Sequence, residues 1–429
     1  MEGNMQKERT AVTKNGISVH SYANSSLHGC HIALYVKAGC MYESAEENGI
    51  THFLEHALYR NVNALMGGSL YSTLDREAIE FSAATYNEMM QFSVWGDGAS
   101  FDSMSEIISL VLSPIVLSKE EFLAERGRVK AEIRESDDRT SLQSFVSSAV
   151  YEGTPLARTI LGALGGISKI SRDKLEKYRA RIFNKDNIFF YVTGNFTDEN
   201  IRRLCSRLES YELSGCQGAD NTATVPYSFF KRDKNLYIKN ADFTMVRFSF
   251  DMDMTKINPG EDDLLYDILL GGNNSRFYME MSEKRGMLYD VQGSVEKYKN
   301  IGSFCFSYEV RAGTVYDAVS LTLSILSDLK KRVVPEEDCM KAGYVKGARA
   351  LLDDARELSY AFAYDTKILS YPYRDVWERA RLYSEITPER IREAAKAIFK
   401  KENMVLGIKG DKRKIDVQRL ERIISGFAD

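Results

Sequence analysis

Residues 171–183 read SRDKLEKYRARIF, and they are followed by a polar turn, NKDN, and an apolar run that ends at Gly194. Residues 387–399 read TPERIREAAKAIF, and they are followed in the same way by KKEN and an apolar run that ends at Gly410. In each copy a Ser or Thr precedes an amphipathic helix pattern, which leads through the turn into a strand. The copies lie half a chain length apart, so we infer an internal duplication.

The duplication predicts the fold class and the domain boundaries. We expect an α+β protein whose two homologous α/β-sandwich halves each have about 210 residues. Residues 214–226 read SGCQGADNTATVP, a polar segment without helix or strand periodicity that is typical of a linker. The two halves would then be residues 1–213 and 227–429.

The composition is that of an ordinary globular protein, with 44% hydrophobic and 28% charged residues. The net charge of −4 provides no overall basic field for nucleic acid or an anionic membrane. The N-terminal residues are polar, and the longest apolar stretch, residues 107–117, is too short to cross a bilayer. Six scattered cysteines without a CxxC pair suit a reducing compartment. We therefore expect a cytoplasmic protein that binds neither nucleic acid nor a membrane.

The chain has five histidines, and none of them follows His56. Residues 52–56 read HFLEH, which on a helix places His52 and His56 one turn apart on the same face. Two imidazoles at this spacing can bind one zinc ion, and Glu55 is then close enough to act on a water molecule at the metal. HxxEH is the signature of the inverzincin metallopeptidases. A helix with two ordinary histidines is the alternative, which the scarcity of histidine and the position of Glu55 disfavour.

A catalytic zinc ion needs a third protein ligand and an open position for water. Residues 118–121, SKEE, have capping-box spacing and begin a second predicted helix. Glu125, Glu132 and Glu135 of this helix are all candidate ligands, and their spacing does not choose among them. A helix so rich in Glu and Arg is also typical of a solvated surface.

HFLEH followed by the helix ERGRVKAEIRE at 125–135 resembles the pitrilysin-type family of zinc peptidases, which includes mitochondrial processing peptidase and insulin-degrading enzyme. The resemblance extends to AIEFSAAT at 78–85 and GGNNSRF at 271–277. It implies that Glu132 is the third zinc ligand and that Glu125 orients the site. It further implies one zinc ion per chain, a zinc-binding catalytic first half and a substrate-gripping second half.

Two positions depart from the family pattern. The strand that usually carries Asn-Ala has Ser82 in place of Asn, which would weaken a contact to the substrate backbone. The second half usually carries an Arg and, seven residues later, a Tyr, and this pair grips the substrate near the scissile bond. Tyr289 matches the Tyr, but Ser282 stands at the Arg position, and nearby Arg285 points to a different helix face.

The resemblance implies a zinc-dependent endopeptidase that cleaves peptides or unfolded and leader segments inside a clamshell chamber. The predicted zinc ligands are His52, His56 and Glu132. Glu55 would act as general base and then as acid, and Tyr289 would donate a hydrogen bond to the developing oxyanion. One alternative is a non-catalytic partner subunit of a processing-peptidase complex. Another is a binding module with a structural zinc site, which the absence of nearby cysteine disfavours.

Two kinds of partner are expected. A peptide substrate would pair as an extended strand with the sheet edge near residues 81–85. Short members of the family pair with a second family chain, and the loss of the Arg at Ser282 while Tyr289 is kept favours a heterodimer slightly over a homodimer.

Overall fold

The computed structural model describes residues 7–136, 141–213, 234–288, 291–335 and 341–427. The predicted linker at 214–226 and Tyr289 lie outside the described residues, so the statements about them stay predictions. Within the described ranges, no helix has both the length and the apolar composition that crossing a membrane requires.

The described residues form eleven β-strands and fifteen α-helices. The strands are β1 (Arg9–Val12), β2 (Ser18–Ala23), β3 (Gly29–Val36), β4 (Glu80–Thr85), β5 (Met90–Asp97), β6 (Ile188–Gly194), β7 (Leu236–Asn240), β8 (Thr244–Asp253), β9 (Val291–Lys297), β10 (Ile301–Val310) and β11 (Met404–Gly410). The helices are α1 (Ile50–Leu65), α2 (Leu70–Glu77), α3 (Phe101–Leu110), α4 (Lys119–Glu135), α5 (Leu142–Val150), α6 (Leu164–Lys169), α7 (Arg172–Ile182), α8 (Asp198–Leu208), α9 (Glu261–Leu270), α10 (Val315–Lys331), α11 (Lys341–Leu351), α12 (Ala355–Phe362), α13 (Val376–Glu385), α14 (Pro388–Ile398) and α15 (Val417–Ser425).

The strands form two sheets with corresponding connections. The first sheet has the order β1-β2-β6-β3-β5-β4, and the second has the order β7-β11-β8-β10-β9. Strand β6 runs parallel to β2 and antiparallel to β3, just as β11 runs parallel to β7 and antiparallel to β8. Because β6 and β11 end the two sequence repeats, matched repeats occupy matched places in the two sheets. The predicted α+β fold with two homologous halves is confirmed.

Each repeat begins with the cap that the sequence indicates. The side chain of Ser171 accepts a hydrogen bond from the backbone N–H of Lys174 at the start of α7. Thr387 accepts the equivalent bond from Arg390 at the start of α14. The apolar face of each helix packs into the hydrophobic core on one side of its sheet.

The chain divides into two compact units, which do not follow the sequence halves throughout. The first unit comprises the described residues of Met1–Ser136, Arg158–Val225 and Ala348–Glu378. The second comprises those of Asp137–Ala157, Pro226–Gly347 and Arg379–Asp429. Each half of the sequence therefore supplies a helical segment to the unit that the other half mainly forms. No sequence pattern indicated this exchange.

In the first unit, the exchanged helix α12 packs on β3 and β6. It covers one face of the sheet, and the main core lies on the other face. Ile32 of β3 points into that main core. The hydroxyl of Thr193 donates a hydrogen bond to the carbonyl oxygen of Ala355 (2.6 Å). The hydroxyl oxygens of Tyr35 and Ser359 lie 3.5 Å apart. Polar contacts therefore join this helix to its sheet.

In the second unit, the exchanged helix α5 packs on β8 and β11 in the equivalent way. Gly407 of β11 lies directly beneath it, where a Cβ atom would be only 2.3 Å from Cγ2 of Val146. Glycine is thus favoured at this crossing, because a Cβ atom would force Val146 of the helix to move.

Candidate metal centre

Helix α1 carries the HFLEH motif, and several contacts in the first unit fix where it begins. Gly49 precedes the helix with φ = 91°, a left-handed conformation that favours glycine. The buried carboxylate of Glu43 accepts hydrogen bonds from the backbone N–H groups of Gly49 (2.8 Å) and Thr51 (2.9 Å). Phe53 and Leu54 are fully buried in the core. These contacts set the rotation of the helix and therefore the direction of its histidines.

Helix α4 carries the three candidate carboxylates and packs against α1. The predicted capping box is present. The hydroxyl of Ser118 accepts a hydrogen bond from the N–H of Glu121 (3.2 Å), whose carboxylate accepts one from the N–H of Ser118 (2.8 Å). Val129 and Ile133 pack into the core, which turns the opposite side of α4 away from it.

The structure brings His52, His56 and Glu132 together. Nε2 of His52 lies 3.6 Å from Oε1 of Glu132, and Nε2 of His56 lies 3.2 Å from Oε2 of the same carboxylate. One ligand atom from each of the three side chains lies within 4.8 Å of the others. Glu135 does not belong to this group. Glu125 contacts the other ring nitrogen of His56, Nδ1. Of the three carboxylates that spacing left open, Glu132 is the one that faces both Nε2 atoms.

This donor set suits a zinc ion. Two atoms bound to one tetrahedral zinc at about 2 Å lie roughly 3.3 Å apart, close to the separations between the histidines and Glu132. Burial, together with the nearby His56, lowers the pKa of His52 to about 3, so its imidazole is neutral and can act as a ligand. Three protein ligands leave one tetrahedral position for water, as in catalytic zinc sites.

Glu125 fixes the orientation of His56 through a contact to Nδ1, the ring nitrogen that does not face Glu132. Its buried Oε1 accepts a hydrogen bond from Nδ1 of His56 (3.1 Å), and Oε2 accepts one from Arg60 (3.2 Å). Burial opposes ionisation of Glu125, but the His56 hydrogen bond and the charge of Arg128 outweigh it and hold the pKa below its ordinary value. Because Nδ1 of His56 is engaged in this way, its Nε2 is left to face Glu132.

Glu55 lies beside this cluster on the same helix. The hydroxyl of Thr85, at the end of β4, donates a hydrogen bond to Oε2 of Glu55 (2.7 Å). Burial raises the pKa of Glu55, although the Thr85 hydrogen bond and the charge of His56 partly oppose the shift. A carboxylate with a raised pKa is a better proton acceptor near neutral pH than an exposed one.

The comparisons with known proteins show the family of this chain. The family model described as Insulinase (Peptidase family M16) matches residues 18–164, which include every residue of the centre. A second model, Peptidase M16 inactive domain, matches residues 169–342. The chain belongs to the M16 peptidase family. The pitrilysin-type resemblance is thereby confirmed.

Named relatives of this M16 chain include proteases. An uncharacterized zinc protease of Rickettsia felis is 25% identical over 343 residues, which cover 77% of this chain and 79% of the relative. The β-subunit of the mitochondrial-processing peptidase of Bos taurus is 26% identical over 205 residues, covering 47% of this chain and 41% of the relative. The crystal structure of a protease from Helicobacter pylori matches with a TM-score of 0.78 at 18% identity, covering 94% of this chain and 99% of that one. This structural likeness supports the fold.

The second M16 half carries no histidine motif. Helix α9 begins after Gly260 (φ = 87°), as α1 begins after Gly49 (φ = 91°). The third residue of α9 is Asp263, where α1 has His52. Oδ1 of Asp263 lies 2.6 Å from Nζ of Lys297, so an internal ion pair takes the place of a metal ligand. This agrees with the inactive-domain match of the second half.

The structure describes both positions that depart from the M16 pattern and also the nearby Arg285. The hydroxyl of Ser82 lies 2.9 Å from that of Ser93 on the neighbouring strand β5. Ser282 lies in a π-helical turn of the second unit. Nη1 of Arg285 lies 2.7 Å from the carboxylate of Glu280, so this guanidinium is already paired.

Three residues that complete the centre were missed by the sequence reasoning. Glu43 and Thr85 lie outside the motif and reach it only through the fold. Arg60 follows His56 by four residues, so helical spacing was an available signal for a side chain on the same face.

Proposed function

We propose that this M16 chain is a zinc-dependent endopeptidase that cleaves peptides or unfolded and leader segments. The observation that carries the proposal is the convergence of His52, His56 and Glu132 beside the carboxylate of Glu55. These three side chains would hold one zinc ion per chain. When bound, zinc acts as a Lewis acid toward the scissile carbonyl and lowers the pKa of water.

Glu55 is the general base in this proposal. It accepts a proton from the attacking water and then delivers that proton to the leaving amine. Thr85 keeps the Glu55 side chain in place through its hydrogen bond, and the partial burial of Glu55 keeps its pKa above the ordinary value. Glu125 positions His56 without contacting the substrate. Tyr289 remains the proposed donor to the oxyanion.

The substrate would bind along β4. This strand ends the order of the first sheet, and its inner neighbour is β5. No other described strand pairs with the outer edge of β4, so an extended peptide can add there by backbone hydrogen bonds. Because Thr85 ends β4 and contacts Glu55, a peptide on this edge would lie next to the general base.

We also propose a second family chain as partner. Ser282 supplies one neutral hydroxyl where a guanidinium would supply a charged fork, and Arg285 is held by Glu280. A partner that retains the Arg/Tyr pair would restore the missing substrate contact, so a heterodimer is slightly favoured over a homodimer. A purely non-catalytic subunit is disfavoured, because the ligand set and Glu55 are complete.

Three variants test the zinc-peptidase proposal. Glu55→Gln should retain one zinc ion per chain and lose peptide hydrolysis by about 10²- to 10⁴-fold, because the base is removed but the ligands stay. Glu132→Gln should lose both zinc and hydrolysis. Glu135→Gln, on the same helix but outside the cluster, is the matched control and should change neither. Hydrolysis by Glu55→Gln at the wild-type rate, or hydrolysis that survives chelation, would contradict the proposal.

A further inference from the structure

The second unit contains a cavity on the face of its sheet opposite the core. Strand register places Ser307 opposite Arg247 and Gln292 opposite Ser307, so these side chains share one face. Their neighbour Phe248 points into the core on the other side. The cavity has a volume of about 450 Å³ and includes Lys409 of β11 in its lining. All of its lining residues belong to the second unit, which carries no histidine motif.

Arg247 forms the buried part of this cavity. The residue is only 7% exposed, yet none of the described carboxylates lies within ion-pair distance of its guanidinium. One of its Nη atoms donates to Sγ of Cys305 (2.9 Å), and its buried Nε has no hydrogen-bond partner within the part of the chain that the structure describes. Glu296 shares this sheet face and is close enough for the charge of Arg247 to lower its pKa, but burial outweighs that effect and raises the pKa, and the Glu296 carboxylate is hydrogen-bonded by Tyr298. A buried guanidinium without a carboxylate in direct contact is costly, which favours an anionic ligand beside it.

The other groups around the cavity are also suited to an anion. Lys409 lies with its Nζ 5.0 Å from the centre of the Phe243 ring and has no ion pair among the described residues. Ser307 and Gln292 offer a hydroxyl and an amide donor. Helix α5 begins at the cavity wall, and its first-turn N–H groups add positive potential there. The lining contains no Asp or Glu.

We propose that this cavity binds a small anion through a carboxylate or phosphate group. Arg247 would contact the group with its planar fork of N–H donors, which matches both oxyanions, and Lys409 would add a second positive charge. A volume of about 450 Å³ falls within the range of small-molecule sites, so the ligand extends beyond its anionic group. The group comes from either of two sources, a free phosphorylated molecule or the C-terminal carboxylate of a short peptide.

Calorimetric titration of the full chain tests the site without relying on catalysis. The probes are inorganic phosphate and one hexapeptide prepared both as the free acid and as the C-terminal amide, with Glu55→Gln protein used for the peptides so that they stay intact. We expect one molecule of phosphate or free-acid peptide per chain. Phosphate binding identifies a phosphate source, and free-acid binding without amide binding identifies a peptide carboxylate.

Substitutions locate the binding. Arg247→Met and Lys409→Gln should each weaken it at least about tenfold, since each removes a charge-assisted contact. Lys331→Gln, which removes an exposed charge from α10 of the same unit, should leave it unchanged. Lys409 is only partly buried, so its substitution should leave the fold intact. If Arg247→Met fails to fold, the anion affinity of Lys409→Gln decides whether the cavity is the binding site. The proposal is overturned if neither anion binds, if acid and amide bind equally without phosphate binding, or if affinity survives Lys409→Gln and folded Arg247→Met.

Discussion

Nδ1 of His56 lies 3.1 Å from Oε1 of Glu125, and this hydrogen bond joins the two helices that form the metal centre. Burial alone would lower the pKa of His56, but the hydrogen bond to Glu125 and the charges of Glu55 and Glu132 raise it above its ordinary value. A more basic imidazole donates electron density to a metal more strongly, and a fixed Nδ1 keeps Nε2 directed at Glu132.

Loss of this contact should weaken zinc binding. Glu125→Ala removes the acceptor behind His56, so we expect zinc affinity about 10- to 100-fold lower, measured by competition with a chromophoric chelator. Glu135→Ala removes a carboxylate from the same helix without touching His56 and should bind zinc as wild type does. Equal zinc affinity in the two variants would show that Glu125 does not position the ligand.

The hydrogen bond from Thr85 to Glu55 should affect the pH at which activity falls on the acidic side of the kcat/KM profile. This bond stabilises the ionised form of Glu55 and thus lowers its pKa, so Thr85→Val should raise that pKa. The acidic limb of the kcat/KM profile should then move to higher pH, with kcat/KM about tenfold lower on that limb. Thr85→Ser keeps the hydroxyl and should keep the wild-type profile. Superimposable profiles for the Val and Ser variants would refute this role.

Glu88 should make stability depend on pH. Burial raises its pKa from 4.5 to about 7, although a hydrogen bond from Tyr364 partly opposes the shift. The folded state therefore keeps the proton more tightly than the unfolded state. The associated stability is fully present below pH 4.5 and is lost as the pH rises through about 7.

Glu88→Gln should remove this dependence. The neutral amide needs no proton, so between pH 4.5 and 8 the wild type should lose about 3 kcal/mol of unfolding free energy relative to the variant. Urea unfolding at several pH values measures the difference. Glu106→Gln, at an exposed position of α3, should follow the wild type. A pH-independent difference between Glu88→Gln and wild type would argue against a raised pKa.

Ser282 should limit the activity of the isolated chain. We expect weak peptidase activity alone, and a rise of about tenfold or more when a homologous chain that retains the Arg/Tyr pair is added, because a charged contact is restored. Ser282→Arg should reproduce part of that rise, whereas the neutral Ser282→Gln should not. Full activity of the isolated chain, unaffected by Ser282→Arg and by any partner, would refute the heterodimer.

The sequence by itself determined what depends on neighbouring residues. Local patterns predicted the helix caps at Ser118, Ser171 and Thr387, because each cap is a contact between residues three positions apart. Local patterns likewise predicted the helix that carries HFLEH. The duplication was also readable, because each repeat keeps its order of helix, turn and strand. The matched positions of β6 and β11 follow from it.

Only the tertiary structure decided which distant groups meet. Spacing on α4 left Glu125, Glu132 and Glu135 equivalent, and only the family resemblance implied separate roles for Glu132 and Glu125. The packing of α4 against α1 is what places Glu132 near the Nε2 atoms and Glu125 at Nδ1 of His56. The exchange of α5 and α12 between the units could not be predicted from the sequence either. A helix sequence indicates which face is apolar, but not which sheet packs against that face. The same cause leaves Arg247 without an ion pair among the described residues, because strand register sets which side chains lie beside it and register depends on contacts far apart in the chain.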